Sequence, residues 1–304
     1  MGPALHSPLV TVIIATYNKS STLRYAIESV LWQTLEDFEL WVIGDGCTDD
    51  SEEVVHSFTD PRVNWYNLPE NTGYQSIPHN EGIRRAGGQY ISYLNHDDIW
   101  MPNHLRVLVD SIESNDADFA YTILEWILSW QDDYAQLLPW RENYADIPIY
   151  PDAPLPPEAS VTLHRKDIVD EIGYWKIPQD TYAVPRADFF RRAQFIDKKF
   201  VLVPYVTVLK FAGSSRGYSL VGQQPEYIER IVNDPDFIQR EIGSLLARAY
   251  NELERPIHFR RFLYQWKQEL RRNLVRRKID PARIVFWRKP GRHIRHWRRD
   301  RHLD

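Results

Sequence analysis

The sequence predicts an α/β fold with a mainly parallel sheet, followed by a basic, mainly helical C-terminal region. Three observations carry this. Strand-like and helix-like segments alternate through the first part of the chain. The first of them, Leu9 to Ala15, is β-branched and nearly all apolar, as a strand covered on both faces must be. After about residue 215 the pattern turns helical and the charge turns positive. The expected division is therefore residues 1–215 for the α/β domain and 216–304 for the helical region.

The elements follow in order. Ser20 to Gln33 carries Leu23, Ala26, Ile27, Val30 and Leu31 at helical spacing, with Ser20 or Ser21 as N-cap. Phe38 to Ile43 and Arg62 to Leu68 read as the second and third strands. A helix over Asn80 to Ala86 stops at Gly87 and Gly88. Tyr90 to Leu94 is a fourth strand, Pro102 to Ser114 a helix opened by its proline, and Phe119 to Thr122 a fifth strand. Pro139 to Pro157 holds six prolines in 19 residues and reads as a long irregular loop. A strand at Ala159 to His164, helices at Lys166 to Ile172 and Arg186 to Gln194, and a strand at Lys199 to Leu209 complete the domain. Beyond it, Ile238, Ile242, Leu245, Ala249 and Leu253 form one helical stripe, and Phe259, Leu263, Trp266, Leu270 and Leu274 another. Asp280-Pro281 starts a short third helix.

Composition excludes several classes. Of 304 residues, 43% are apolar and 26% charged, which fits neither a disordered nor a fibrous chain. The one cysteine, Cys47, makes no internal disulfide and no thiolate zinc site, which points to a reducing compartment. The first residues lack the basic and apolar runs of a secretory signal, and the longest apolar stretch, Phe119 to Trp130, is too short to span a bilayer. The net charge of −5 hides an asymmetry. Residues 255–304 hold 17 Lys and Arg against 4 Asp and Glu, a charge of +13, which leaves −18 on the first 254. An acidic domain with no nucleic-acid motif argues against nucleic acid as a partner.

Ligands of open α/β sheets bind beyond the carboxyl ends of the strands. Three polar clusters follow strands: Thr16-Tyr17-Asn18, Gly44 to Asp50, and Asn95-His96-Asp97-Asp98. The only G-x-G, Gly44 to Gly46, lacks the third glycine of the dinucleotide fingerprint, and no P-loop or G-x-S-x-G elbow is present.

Together, Val10 to Asn18, Asp45 to Asp50, Asn80 to Ile91 and Leu94 to Asp98 with Pro102 close behind resemble a family 2 glycosyltransferase of the GT-A fold, over about residues 9–215. The resemblance implies an inverting transfer of sugar from a nucleoside-diphosphate donor, UDP before GDP or dTDP, to a glycan or lipid-linked acceptor. It implies a nucleotide site at Thr16, Tyr17, Asn18, Asp45, Asn80, Asn95 and His96, with Tyr17 stacking on the base and Asp45 accepting its imino N–H. Tyr17 as packing and Asp45 as a turn residue stand as the alternative. Asp49 and Asp50 read as caps of the next helix.

Asp97 sits where that family places its Mg²⁺ or Mn²⁺ carboxylate; a hard cation takes few protein ligands and fills the rest with phosphate and water. The departure is Asn95 in place of the first aspartate, with His96 beside it as a ribose or diphosphate contact or merely a strand-end histidine. The general base would be Asp188, with Asp180 in reserve; Asp188 as a charge at a helix N-terminus is the other reading. Asp98, Trp100, His164 and Arg165 are further candidates for donor or acceptor contacts.

The basic, aromatic C-terminal segment suits an anionic membrane surface, which implies a cytoplasmic, peripheral location; a helical cap on the acidic domain or an oligomer interface fits the same residues. Two other functions compete. A nucleotidyltransferase wants a glycine-rich basic loop after strand one, and Thr16 to Lys19 is not one. A module that binds nucleotide sugar without turnover fits the altered Asn95 motif.

Overall fold

A computed structural model describes residues 7–127, 157–181, 184–211 and 224–234, with scattered positions from 236 to 279. Eight strands form one sheet: β1 (Val10–Thr16), β2 (Phe38–Gly44), β3 (Val63–Asn67), β4 (Tyr90–Asn95), β5 (Asp98–Trp100), β6 (Phe119–Ile127), β7 (Thr162–Arg165) and β8 (Phe200–Phe211). The helices are α1 (Ser20–Leu31), α2 (Ser51–His56), α3 (Ser76–Arg85), α4 (His104–Ser114), α5 (Ile168–Ile172), α6 (Pro185–Phe195) and α7 (Gln224–Asn233). The proline-rich segment before 157, the stripes from Ile238 to Leu274 apart from Leu270 and Leu274, and most of the basic tail lie outside the described residues.

The strand order is β3-β2-β1-β4-β7-β6-β8-β5. β1 to β4 run parallel, whereas β7 is antiparallel to both β4 and β6. β8 runs parallel to β6, and β5 closes the far edge antiparallel to β8. Only two residues, His96 and Asp97, separate β4 from β5, yet three strands stand between them in the sheet order. The sheet must therefore curl until its β8–β5 edge comes back over the carboxyl end of β4.

Every residue of β1 is buried, because its two faces are both covered. Val10, Val12 and Ile14 pack with α1 and α4 through Leu23, Ile27, Leu105 and Leu108. Ile13 faces the other side, with Ile83 of α3, Ile168 of α5 and Phe189 and Phe190 of α6. Period-two alternation in a strand and 3.6-residue periodicity in its helices meet here. α7 sets Tyr227 and Ile231 against Ile99 of β5 and Val206 and Leu209 of β8.

Several boundaries differ from the sequence reading. α3 starts at Ser76 rather than Asn80, because Pro78 falls in the first turn, whose N–H groups need no intrahelical partner. α4 starts at His104 and leaves Pro102 outside. Its Leu105 N–H is capped by Oε1 of Gln33, two residues past the end of α1, at 3.0 Å. Ala159 to Val161 is a 3₁₀ turn ahead of β7. β5 was not anticipated: Asp98-Ile99-Trp100 is too short to carry a period and is defined by pairing with Val208 to Lys210.

Candidate active site

The register of the parallel strands sets one edge. Thr16 stands beside Gly44, Gly44 beside Asn67, and Ala15 beside Asn95. The segments that follow β1, β2 and β4 therefore emerge side by side. Thr16 is buried there with its Oγ1 unpartnered among the described residues. Tyr17 leaves the edge with 46% of its surface exposed, so its ring is not core packing.

Asp45 is buried and accepts four hydrogen bonds from the loop after β3: Thr72 Oγ1 (2.6 Å), Thr72 N–H (3.1 Å), Gly73 N–H (3.2 Å) and Asn71 Nδ2 (3.2 Å). As it stands, the carboxylate anchors that loop. Gly46 next to it takes φ of +70°, and a Cβ there would meet the backbone of Glu70 and Asn71 at 2.3–2.4 Å. Cys47 is clasped by Asn67, which accepts its N–H at 2.8 Å and donates to its carbonyl at 2.9 Å. Burial pushes its thiol above the ordinary range.

Asn18, expected on the nucleotide, has another job. At φ of +48° its Oδ1 accepts the N–H of Thr48 at 2.8 Å and of Asp49 at 3.3 Å, and its Nδ2 donates to Thr48 Oγ1. It ties the β1 and β2 loops together. Asp49 caps two helix starts, accepting Ser20 N–H with Oδ2 and Ser51 N–H and Oγ–H with Oδ1. Burial opposes ionisation, but the Ser51 and Ser20 donors hold its carboxyl below the ordinary value.

Asn95 to Asp98 form the tight turn between β4 and β5. Asp97 is half-buried, and it has neither a hydrogen bond nor an ion pair among the described residues. His96 faces the carbonyl of Ala15 through Nδ1 at 3.3 Å; a carbonyl only accepts, so Nδ1 is the donor. Asp98 turns inward. Its Oδ2 accepts Ser160 Oγ–H (2.6 Å) and Asn95 Nδ2 (2.9 Å), and Lys210 Nζ lies 3.2 Å away. Asp98 is fully buried, so it touches neither donor nor acceptor and supports the turn from behind. Burial pushes its carboxyl up to about 6 against the pull of Lys210. Burial alone would lower Lys210, but Asp98, then Glu158 and Asp97, hold its ammonium above the ordinary value.

Four other expectations are corrected. Asn80 is buried, and both ends of its amide are taken by Trp175: Nδ2 donates to the carbonyl at 2.8 Å and Oδ1 accepts the N–H at 3.0 Å. Trp100 is fully buried, stacked on His104, with Nε1 donating to Ser160 O at 2.7 Å. His164 is fully buried; Nδ1–H donates to Arg165 O (2.7 Å) and Nε2 accepts Tyr93 O–H (2.9 Å). Burial lowers its ring to about 4. Arg165 pairs with Tyr90, the first residue of β4, and donates to Ala117 O and Asp116. Because β7 runs against β4, its carboxyl end lies on the rim opposite the site.

Asp188 sits in the first turn of α6. Arg192 Nε grips its Oδ2 at 2.8 Å and donates onward to the carbonyls of Ile172, Gly173 and Tyr174; Oδ1 has no partner among the described residues. Asp180 is exposed at the end of a 3₁₀ turn. Its neighbour Gln179 donates to Tyr74 O–H.

Five residues that matter to this edge were missed: Asn71, Thr72, Gln75, Ser160 and Lys210. The polar run Asn71-Thr72-Gly73 after a strand was a usable signal for the first two. Nothing local marks Lys210.

Among the described residues, no group of three or more His, Cys, Asp and Glu is arranged to hold a metal. The single unpaired carboxylate of Asp97 still fits a hard cation that draws its other ligands from phosphate and water.

The curled α/β sheet with polar segments after β1, β2 and β4 is the GT-A fold of glycosyltransferases. It matches the mannosyltransferase PcManGT of Pyrobaculum calidifontis, solved in complex with GDP-Man and Mn²⁺, at a TM-score of 0.52 and 16% identity, over 68% of this chain and 57% of that one. Residues 11–148 match the family model Glycosyl transferase family 2. An uncharacterized glycosyltransferase of Rickettsia prowazekii is 37% identical over 112 residues, 37% of this chain and 34% of the relative. The chain thus spans about a third of that relative. The Escherichia coli protein WfgD, named a UDP-Glc:alpha-D-GlcNAc-diphosphoundecaprenol beta-1,3-glucosyltransferase, is 32% identical over 113 residues, 37% of this chain and 44% of the relative.

Proposed function

We propose that the chain is an inverting glycosyltransferase that moves a sugar from a nucleoside-diphosphate donor to a hydroxyl of a glycan or lipid-linked acceptor. The observation that carries this is the shared edge of Thr16–Tyr17, Asp45 and the Asn95–Asp97 turn, with an exposed aromatic ring and an unpaired carboxylate on it. The names of WfgD and PcManGT, with their UDP- and GDP-linked donors, support the donor class, and WfgD supports a lipid-linked acceptor.

In this reading Tyr17 stacks on the nucleobase. Asp45 accepts its imino N–H, for which Thr72 must give up part of its hold. Asp97 is the protein ligand of a Mg²⁺ or Mn²⁺ ion, and such an ion would neutralise charge on the departing diphosphate. Asp188 Oδ1 receives the proton of the acceptor hydroxyl as its oxygen bonds to the anomeric carbon and the bond from that carbon to the diphosphate breaks. Arg192 holds the other carboxylate oxygen, which fixes the direction of Oδ1. The +13 charge of the segment from residue 255 onward supports a location at the cytoplasmic face of an anionic membrane, where a lipid-linked acceptor would reside.

The test is transfer from UDP- and GDP-sugars to glycan and lipid-diphosphate acceptors, with and without Mn²⁺. Asp188→Ala should abolish transfer while leaving donor affinity near wild type, and Asp97→Ala should remove the cation dependence of donor binding. Donor binding without transfer to any acceptor would favour the binding module instead. Pelleting with anionic but not neutral liposomes checks the location.

A further inference from the structure

Resting on the reading above, we infer that Asp98 is a positioning residue: braced by Lys210, it turns the Asn95 amide so that its carbonyl oxygen faces the ligand edge. Asn95 then serves as a pure acceptor for a hydroxyl of the nucleotide, although it is not a carboxylate.

The argument begins with what each group is able to do. An ionised carboxylate offers only lone pairs, so the Asn95 atom 2.9 Å from Asp98 Oδ2 must be the NH₂ group. That fixes the flip of the amide, which a lone asparagine at a strand end would leave free. The same carboxylate is itself fixed. Ser160 Oγ donates to Oδ2 at 2.6 Å and, with its lone pair, accepts the Asn95 N–H at 3.2 Å. Asp98 and Lys210 stand directly opposite each other on β5 and β8, and Nζ lies 3.2 Å from Oδ2 and 3.4 Å from Oδ1.

With its NH₂ group used behind the turn, Asn95 turns Oδ1 toward Gln75, whose Nε2 donates to it at 2.9 Å. Gln75 is exposed, so a ligand hydroxyl displaces it at little cost. The turn therefore presents an acceptor to a hydroxyl donor, and it loses that preference if the amide is free to rotate.

The test is calorimetric binding of UDP and GDP and their 2′-deoxy and 3′-deoxy analogues. Wild type should bind at least one deoxy analogue about tenfold more weakly, the scale of one hydrogen bond. Asp98→Asn lets either end of the Asn95 amide face the ligand, and Lys210→Met removes the brace; each should bring that ratio close to one. Adding Asn95→Asp to Asp98→Asn should restore it, because a carboxylate accepts in any orientation. In the wild-type protein the Asn95 side-chain NH₂ protons should exchange slowly, a measurement that needs no variant to fold. Fast exchange of those protons, equal binding of all analogues by wild type, or a preference that survives Asp98→Asn would overturn the inference alone. A wild-type chain that binds neither UDP nor GDP would overturn the functional reading along with it.

Discussion

The Asn80 side chain and the Trp175 backbone form a two-way clip: each donates one hydrogen bond to the other, at 2.8 and 3.0 Å. Both groups are buried, so no water replaces a lost partner. Asn80→Ala should cost about 2–4 kcal/mol, because two buried backbone groups lose their partners at once. Urea denaturation measures this. The nucleotide affinity of the folded fraction should stay within a factor of about two; a large loss of affinity with unchanged stability would return Asn80 to the nucleotide site.

Asp45 holds the 71–73 loop through four donors. Asp45→Ala should speed amide exchange at Thr72 and Gly73 by tenfold or more, as about 1.4 kcal/mol of local protection is lost. Of the four bonds to Asp45, Thr72→Val removes only the 2.6 Å hydroxyl one, along with two long contacts of that hydroxyl to the Tyr74 backbone. It should leave the loop in place, so protected amides in Asp45→Ala would show that something else holds the loop.

Gly46 and Gly73 both have positive φ, at +70° and +73°. They differ in the space around them. A Cβ on Gly46 strikes the backbone of residues 70 and 71, whereas one on Gly73 has its nearest neighbour at 3.9 Å. Gly73→Ala should cost about 1 kcal/mol from its conformation alone. Gly46→Ala should cost distinctly more and dislodge the β3–α3 loop, and equal melting temperatures for the two variants would contradict this.

Three buried histidines make the fold acid-sensitive. Burial lowers His79 to about 3, His164 to about 4, and His104 well below the ordinary 6.5. The unfolded chain binds their protons below pH 6.5 while the folded chain does not, so stability falls as pH drops from 6.5 toward 4. His79 and His164 each contribute a loss of about 2 kcal/mol at pH 5, and His104 acts in the same direction. Asp98, raised to about 6, acts in the opposite sense over the same range but is a single group. Denaturant titrations at pH 7 and 5 should differ by several kcal/mol. His79→Leu should flatten the slope, and an unchanged slope would mean that His79 takes up its proton in the folded state.

The strands and the site edge were legible where local pattern carries the information. The apolar run of β1 and the polar cluster after β4 announce a two-face burial and a strand end without reference to the rest of the chain. The direction of β7 carries no such mark. His164 and Arg165 looked like strand-end residues at the site, and only the pairing of β7 against β4 places them elsewhere. β5 was illegible for a related reason, since its three residues become a strand through partners more than 100 positions later. Asn80 and Trp100 were misplaced because burial, rather than sequence spacing, decides whether a polar or aromatic group meets ligand or core.

The reversal of β7 also sorts the chain by what an insertion would reach. The polypeptide arrives at the rim of the β4–β5 turn through Glu158 and Ser160 and departs on the opposite rim beside Asp116 and Lys166. Lengthening the chain ahead of residue 158 would change what enters beside the Asn95–Asp98 turn while the β4–β7–β6 pairing stays fixed. Lengthening it just past residue 166 would alter a surface remote from the chemistry. Length changes at these two points thus act on opposite rims of one sheet, although only eight residues separate them in the sequence.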